Sequence, residues 1–391
     1  MGAQLNIDIV YLFLNLILFV VFRFQGRNIS INEERYKSYA LYACVAFTLI
    51  SGSRYMRGND YGHYVEVFNH GFGDSHYTPI FTAFNDLLKY LGFSAYSAYY
   101  FYALVFIVCS FVFLSRFKKY ANYTIPLFLV SMLVFNEYQI RQALGFSFVF
   151  IFLHYLFKID LSGSKIHLVF KVNTLEVVIC FICFIITLGI HKANVLYLCL
   201  FAIFYIFIKK RIHYCISIPL VFLSSYFLGT FFDYSLLTPL LNIIAGEDEI
   251  MQGYVNNSHV WFSAEGGNDL YDRNPIVKVM ECIGYSAIYY YGYKAIDFFE
   301  HRQIGITIFN LFVCGSLFMI TFRRIELMNR MGANLNNFWF FVMAIILYYR
   351  QYLFTSSVKR IFSIFLFFFY YAYLKYLFFP AIDKTKFLWD L

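Results

Sequence analysis

The 391-residue chain is 61% hydrophobic, and Asp, Glu, Lys and Arg together make up only 14% of it. Soluble domains carry about 25% of these four residues, so a soluble fold of this composition would lack the charges to cover its surface. The net charge of +8 does not indicate nucleic-acid binding, because basic residues in a membrane protein mainly report topology.

Twelve apolar segments follow one another along the chain, each close to the ~20 residues that cross a membrane as a helix. No polar block as large as a soluble domain interrupts the series. The sequence therefore predicts an all-α, polytopic integral membrane bundle of about 12 spans, which forms a single domain over residues 1–391. The segments fall near residues 8–24, 38–53, 95–115, 123–137, 141–157, 174–190, 192–208, 215–232, 276–296, 303–322, 337–354 and 361–379.

A further segment, residues 77–93, is short and carries Pro79, Asn85, Asp86 and Lys89. Such a segment is tolerated at membrane depth only where it faces protein or a water-filled cavity. It is therefore predicted to be a re-entrant or interfacial helix.

Basic residues are concentrated in alternate loops, around residues 23–37, 116–119, 158–171, 209–211, 294–302 and 359–360. Loops rich in Lys and Arg face the cytoplasm. Both termini and the loops at about 54–76 and 233–275 are then expected outside the cell. The second of these loops is rich in acidic residues and poor in lysine, as exterior loops are.

Six arginines break this pattern, because they lie at the exterior ends of predicted spans. Charges at or within the bilayer are costly and are usually paired or functional. The planar fork of arginine suits phosphate oxygens, so these side chains indicate an anionic ligand at the outer face. They are Arg54, Arg57, Arg141, Arg323, Arg324 and Arg330.

The arginines fall into groups with other polar residues. In the first group Arg54 and Arg57 share a face if the segment is helical, as do Asp60 and Tyr64, and Tyr61 lies beside them. For each of these charges the alternative is an Arg–Asp pair that closes a helix end.

Three more groups follow along the chain. Arg141 and Gln142 open a span, where an arginine that merely snorkels to the interface is the alternative. His191 lies between two apolar runs, a position usually filled by structural histidines. Arg323, Glu326 and Arg330 have helical spacing, although Glu326 and Arg330 are also spaced for a simple ion pair.

Familiar motifs of soluble enzymes are missing, including a Gly-rich phosphate loop, an Asp-x-Asp motif and a Gly-x-Ser-x-Gly elbow. His63, His70, Asp74 and His76 share one exterior loop, but their spacing fits no standard zinc site. The sequence therefore predicts neither a metal ion nor a cofactor.

Taken in order, these groups resemble the EpsG-like family of polysaccharide polymerases, the Wzy-type enzymes that build O-antigens and capsules. That family has an Arg-Tyr-x-x-Gly-x-Asp-Tyr signature, an Arg-Gln pair, an isolated His and a Glu-x-x-x-Arg motif. Arg57 has no counterpart in it. The matching residues here are Arg54, Tyr55, Gly58, Asp60, Tyr61, Arg141, Gln142, His191, Glu326 and Arg330.

The resemblance implies an enzyme of the bacterial inner membrane that works at its periplasmic face and takes part in O-antigen, lipopolysaccharide or capsule synthesis. It would transfer a glycan from undecaprenyl pyrophosphate to a lipid-linked repeat unit. The implied partners are this lipid-linked oligosaccharide, the bilayer and a chain-length regulator, with no nucleic acid.

For this reaction the chain is expected to need no metal. Arg54, Arg141, Arg323 and Arg330 would clamp the diphosphate, and Arg57, Tyr61 and Gln142 would also bind the substrate. Asp60, His191 or Glu326 would act as the base. Trp261 and the tyrosines of loop 233–275 would offer stacking surfaces for sugars.

Two other functions fit a membrane bundle. A membrane O-acyltransferase would use an embedded histidine and an acyl donor reached from the cytoplasm, and the exterior arginines argue against it. A polysaccharide or lipid flippase would need polar groups along a path through the midplane and often shows an internal repeat. The sequence shows neither feature.

Overall fold

The computed structural model describes residues 2–55, 60–71, 78–159, 174–228, 275–323, 326–354, 356–359, 361 and 386–387, without the side chains of 2–12, 326–327 and 386–387. The chain divides into two compact units. The first contains Met1–Phe72, Tyr77–Ile206 and Ser356–Leu391, and the second contains Gly73–His76 and Phe207–Thr355. The predicted loop 233–275 and most of the predicted span 361–379 lie outside the described residues.

The described part of the first unit consists mainly of long apolar helices. They are α1 (Gly2–Ile31), α2 (Tyr36–Gly52), α3 (Tyr61–His70), α4 (Pro79–Tyr90), α5 (Ala95–Leu114), α6 (Ala121–Tyr138), α7 (Ile140–Leu156), α8 (Thr174–Ile190) and α9 (Asn194–Phe207). The most extensively packed pairs are α1 with α6, α2 with α5, α5 with α7, and α7 with α8. Phe106 is buried in the core, in ring contact with Phe47, Phe128, Phe135 and Phe150.

Basic side chains gather at one end of the first unit. There Arg23 donates to the carbonyl of Asn122 at 2.6 Å, and Arg116 donates to the carbonyl of Phe157 at 2.9 Å. Lys118 lies 5.5 Å from the centre of the Tyr36 ring. Because consecutive long helices run in alternate directions, Arg54 and Arg141 lie at the opposite end. Within this unit the described basic residues of alternate loops therefore lie at the same end of the helices.

The helix α4 corresponds to the short segment predicted at 77–93. One face of it is buried through Phe81, Asn85 and Leu88, and Asn85 accepts a hydrogen bond of 2.6 Å from the hydroxyl of Tyr102. Twelve residues span about 18 Å, which is shorter than the ~30 Å hydrocarbon core. The helix itself is therefore confirmed, and its place in the membrane stays a prediction.

The described helices of the second unit are α10 (Tyr214–Leu223), α11 (Pro275–Ala295), α12 (Arg302–Thr321), α13 (Glu326–Asn336), α14 (Trp339–Tyr348) and the single turn α15 (Arg350–Leu353). Of these, α12 and α13 pack tightly together. A Cβ atom at Gly315 would lie 2.4 Å from that of Leu335, and one at Gly332 would lie 2.5 Å from the backbone nitrogen of Met319. Only glycine permits such a close approach of two helices, which is common in membranes.

Three stretches of the described chain are long and apolar enough to cross a membrane: Ala95–Tyr138, Arg302–Thr321 and Met328–Tyr348. The first has 44 residues, about 66 Å as a helix. It breaks at Phe117 into α5 and α6, so it accommodates two crossings. Shorter apolar helices include α7, α8 and α9. The protein is thus an all-α membrane protein, and the number of about 12 spans stays a prediction.

One expectation about local structure is wrong, and the condition of another is not met at Arg54. Arg54 is not helical, because α2 ends at Gly52 and Arg54–Tyr55 forms a short strand, β1. This strand pairs antiparallel with β2, Lys386–Phe387. Arg323 does not share a helix with Glu326, because it lies in a turn after α12 while α13 begins at Glu326.

Candidate functional site

Arg54 is buried at the end of α2, with only 2% of its surface exposed. Its guanidinium donates to the hydroxyl of Ser51 at 3.2 Å and to the carbonyl of Asn136 at 3.1 Å. The Asn136 amide donates in turn to Ser51 at 2.9 Å, and the Tyr99 ring lies 5.7 Å from the guanidinium. A buried arginine needs such partners, so α2, α5 and α6 together fix the position of this charge.

Tyr61, at the start of α3, is fully buried against Tyr99. The two rings stack with centroids 4.1 Å apart, and the Tyr99 hydroxyl donates to the Tyr61 carbonyl at 2.8 Å. The Tyr61 hydroxyl is buried and has no hydrogen-bond partner among the described residues. Burial raises its pKa and the charge of Arg54 lowers it, with burial the larger effect. The hydroxyl therefore stays neutral and offers one donor beside Arg54.

Asp60 occupies the N-cap position of α3, where its carbonyl accepts a bond of 3.0 Å from the amide of Tyr64. Its side chain makes no capping hydrogen bond to the helix and is half-buried. Asp60 and Tyr64 are thus on one helical face, as predicted. Arg57 lies outside the described residues.

Arg141 and Gln142 form the first turn of α7 and are half-buried. Gln139 has a non-helical backbone conformation, with φ −120° and ψ 58°. It ends α6, and α7 starts at the next residue, beside the end of α6. The backbone N–H groups of a first helical turn carry partial positive charge. Arg141 adds a full charge at the same place, which favours an anion there.

His191 lies in the tight turn between α8 and α9, directly beside the first turn of α7. The Asn194 side chain donates to the carbonyl of Gln142 at 2.8 Å, and the Asn194 amide donates to the carbonyl of His191 at 3.0 Å. A Cβ atom at Gly145 would lie 3.3 Å from that of His191. The Arg-Gln pair and the isolated histidine of the sequence are therefore neighbours in the fold.

The electrostatics of His191 follow from this position. Its Nδ1 is buried and has no hydrogen-bond partner in any other residue of the described part of the chain. Burial, and then the charge of Arg141, lower the pKa of His191 to about 3. The imidazole is therefore neutral at pH 7. An anion bound to Arg141 would offset that positive charge and raise the pKa, which would make the histidine a stronger base when the ligand is present.

A single apolar cluster supports both groups of polar residues. Tyr61 and Tyr99 belong to it together with Ile140, which precedes Arg141, and Ile190, which precedes His191. The fold thus brings Arg54, Arg141 and His191 to one end of the first unit. We call these three residues the arginine end.

In the second unit Arg323 forms a buried ion pair with Glu281 of α11. Arg330 is half-buried on α13, four residues after Glu326, whose side chain lies outside the described residues. Among the residues the structure describes, no three His, Cys, Asp or Glu side chains come together as a metal site.

Several polar residues were not identified from the sequence. The main-chain carbonyl of Asn136 accepts a hydrogen bond from Arg54, and the side chain of Asn194 donates to the carbonyl of Gln142. Glu281 pairs with Arg323. Glu137, at the end of α6, is a carboxylate with only 2% of its surface exposed. Glu281 and Glu137 could have been found from the rule that a charge inside an apolar segment has a partner or a function. The two asparagines carry no such signal.

Comparison with known protein families identifies a family for this chain. The sequence model of the EpsG family matches residues 37–389, nearly the whole chain. No curated protein matches, and no solved structure matches either.

Proposed function

Since the chain belongs to the EpsG family, whose members are associated with polysaccharide polymerisation, we propose that it transfers a growing glycan from undecaprenyl pyrophosphate to a lipid-linked repeat unit. The transfer takes place at the periplasmic face of the bacterial inner membrane. The observation that carries this proposal is the arginine end, with Arg141 beside His191 and Arg54 on the same apolar cluster.

The charges favour a diphosphate ligand. Outside the cytoplasm neither ATP nor a sugar nucleotide is present, so the glycan donor must bring its own leaving group. A polyprenyl diphosphate brings one and holds it at the membrane surface. Arg141 is half-buried at the opposite end of the unit from Arg23, Arg116 and Lys118, where membrane topology alone does not favour positive charge.

In the proposed reaction a hydroxyl oxygen of the acceptor sugar attacks the anomeric carbon of the donor. The bond from this carbon to the diphosphate oxygen breaks, and the diphosphate leaves with the electron pair. Arg141, with Arg54, Arg323 and Arg330 as further candidates, stabilises the charge that develops on it. A base takes the hydroxyl proton. His191 suits this role because it is neutral beside Arg141, and Asp60 and Glu326 are the other candidates.

Deletion of the gene tests the proposal. We expect gels of surface polysaccharide to lose the ladder of long chains and to keep material that carries a single repeat. Loss of the single repeats as well would indicate a flippase, and an intact ladder that lacks acyl groups would indicate an acyltransferase. Either result would contradict polymerase activity.

Labelling with an impermeant maleimide tests the proposed topology. Single cysteines at Asn257 and at Lys210, in a background without the eight native cysteines, should react differently in intact cells with a permeable outer membrane. Position 257 should label and position 210 should not, because basic loops stay inside. Labelling of position 210 alone would invert the proposed orientation. The same positions in lysed membranes, where both should label, are the control.

A further inference from the structure

Asn194 connects the two motifs of the arginine end. Its side chain is fully buried, and its Nδ2 donates to the carbonyl of Gln142, next to Arg141, at 2.8 Å. Its backbone amide donates to the carbonyl of His191 at 3.0 Å. Asn194 is thus hydrogen-bonded both to the first turn of α7 and to the turn that contains His191, which we call the histidine turn.

The orientation of this amide is fixed by chemistry. A carbonyl can only accept hydrogen bonds, so the nitrogen of the Asn194 side chain must face Gln142. Its Oδ1 is then a buried acceptor, and it has no hydrogen-bond partner among the residues described here. The same holds for Thr187 Oγ1 and His191 Nδ1 on the preceding turns. A purely structural contact between helices normally satisfies its buried polar atoms. The contact around Asn194 therefore has hydrogen-bonding groups that the described residues do not use.

The contact between α7 and the histidine turn is tightly packed. A Cβ atom at Gly145 would lie 2.6 Å from Asn194 Nδ2 and 3.3 Å from the Cβ of His191. The backbone of α7 therefore touches the histidine turn directly, and a small shift of either element changes the distance between Arg141 and His191.

We propose that Asn194 is a positioning residue for the transfer reaction, which holds Arg141 and His191 at their working distance. The inference rests on the proposed function. Asn194 acts through Gln142 and does not itself touch the reacting atoms. Without its donor the carbonyl of Gln142 loses its partner, and the first turn of α7 is free to move away from the histidine.

Asn194→Ala tests this inference, with Tyr205→Phe as a matched control. The Tyr205 hydroxyl lies at the other end of α9 and donates to the carbonyl of Ile159 at 3.2 Å, so the control also removes one bond from a side chain of α9 to a main-chain carbonyl. Each variant is placed in the deletion strain at equal protein level, and the rate at which single repeats are converted into polymer is measured. We expect Asn194→Ala to lower this rate on the order of tenfold and Tyr205→Phe to change it by less than about twofold.

A double-mutant cycle with Arg141→Lys separates positioning from simple loss of stability. If Asn194 acts through Arg141, adding Asn194→Ala to Arg141→Lys should lower the rate by no more than about twofold further. Full additivity, or equal losses in Asn194→Ala and Tyr205→Phe, would overturn the positioning role alone. A wild-type rate in Arg141→Lys itself would overturn the diphosphate clamp, and the positioning role with it. If Asn194→Ala does not accumulate, Asn194→Ser, which keeps a donor in a smaller side chain, enters the same cycle.

Discussion

Arg141→Lys is expected to slow polymer formation roughly 10- to 150-fold while the protein still inserts at its normal level. Lysine keeps the positive charge but loses the planar fork that donates two parallel bonds to a diphosphate. A hydrogen bond to a charged group contributes about 1.5–3 kcal/mol, and the whole of this contribution enters the rate if the bond forms only in the transition state. The measurement is the rate of conversion of single repeats into polymer at equal protein level.

Arg116→Lys is the matched control for this experiment. Arg116 is also half-buried in the first unit, but at its basic end, where it donates to the carbonyls of His154 and Phe157. Its replacement should lower stability slightly and leave the rate per molecule unchanged. If Arg141→Lys and Arg141→Ala both gave full-length polysaccharide at the wild-type rate, Arg141 would be structural. The diphosphate would then have to be bound by other candidates, either Arg54 in the first unit or Arg323 and Arg330 in the second.

Glu281→Ala is expected to destabilise the second unit by about 3–5 kcal/mol, because it leaves the buried guanidinium of Arg323 without its counter-charge. Both side chains of the pair are more than 90% buried, so water cannot take over the lost interaction. The change should appear as a lower melting temperature of the purified protein in detergent. An unchanged melting temperature would mean that the pair adds no stability.

The double variant Glu281→Met with Arg323→Met separates stability from function. Replacing a buried ion pair by apolar side chains of similar volume is often close to neutral for stability, so the melting temperature should return towards that of the wild type. If the restored protein still makes no polymer, the Glu281–Arg323 pair takes part in the reaction, with Arg323 as the candidate ligand of the diphosphate. A restored rate would limit the pair to a structural role.

The helices were largely predictable, because an apolar run of the right length has few alternatives in a membrane. The segment predicted at 174–190 is α8, Thr174–Ile190, and that predicted at 276–296 is α11, Pro275–Ala295. The first turn of α7, with Arg141, was likewise expected from its place at the start of an apolar run. Hydropathy reports these boundaries because it is a property of each segment by itself.

The partners of the charges were not predictable in the same way. Arg54 was expected at the exterior end of a span, but its place in a strand and its bond to the carbonyl of Asn136 were not. That contact depends on how α2 and α6 pack, and no local pattern records it. Asn194 is similar, since one asparagine in an apolar run does not reveal which carbonyl it will bind. Sequence order placed the motifs along the chain, but only the fold brings Arg141 and His191 together.

The pairing of β1 with β2 has a consequence for biosynthesis. Arg54–Tyr55 is made early, whereas its partner Lys386–Phe387 leaves the ribosome on the order of tens of seconds later at ordinary rates of translation. Contacts between such distant parts of a chain form late in folding. The strand that carries Arg54 therefore stays open on the nascent chain until translation reaches its partner, so the arginine end is completed after the helices around it have already been inserted.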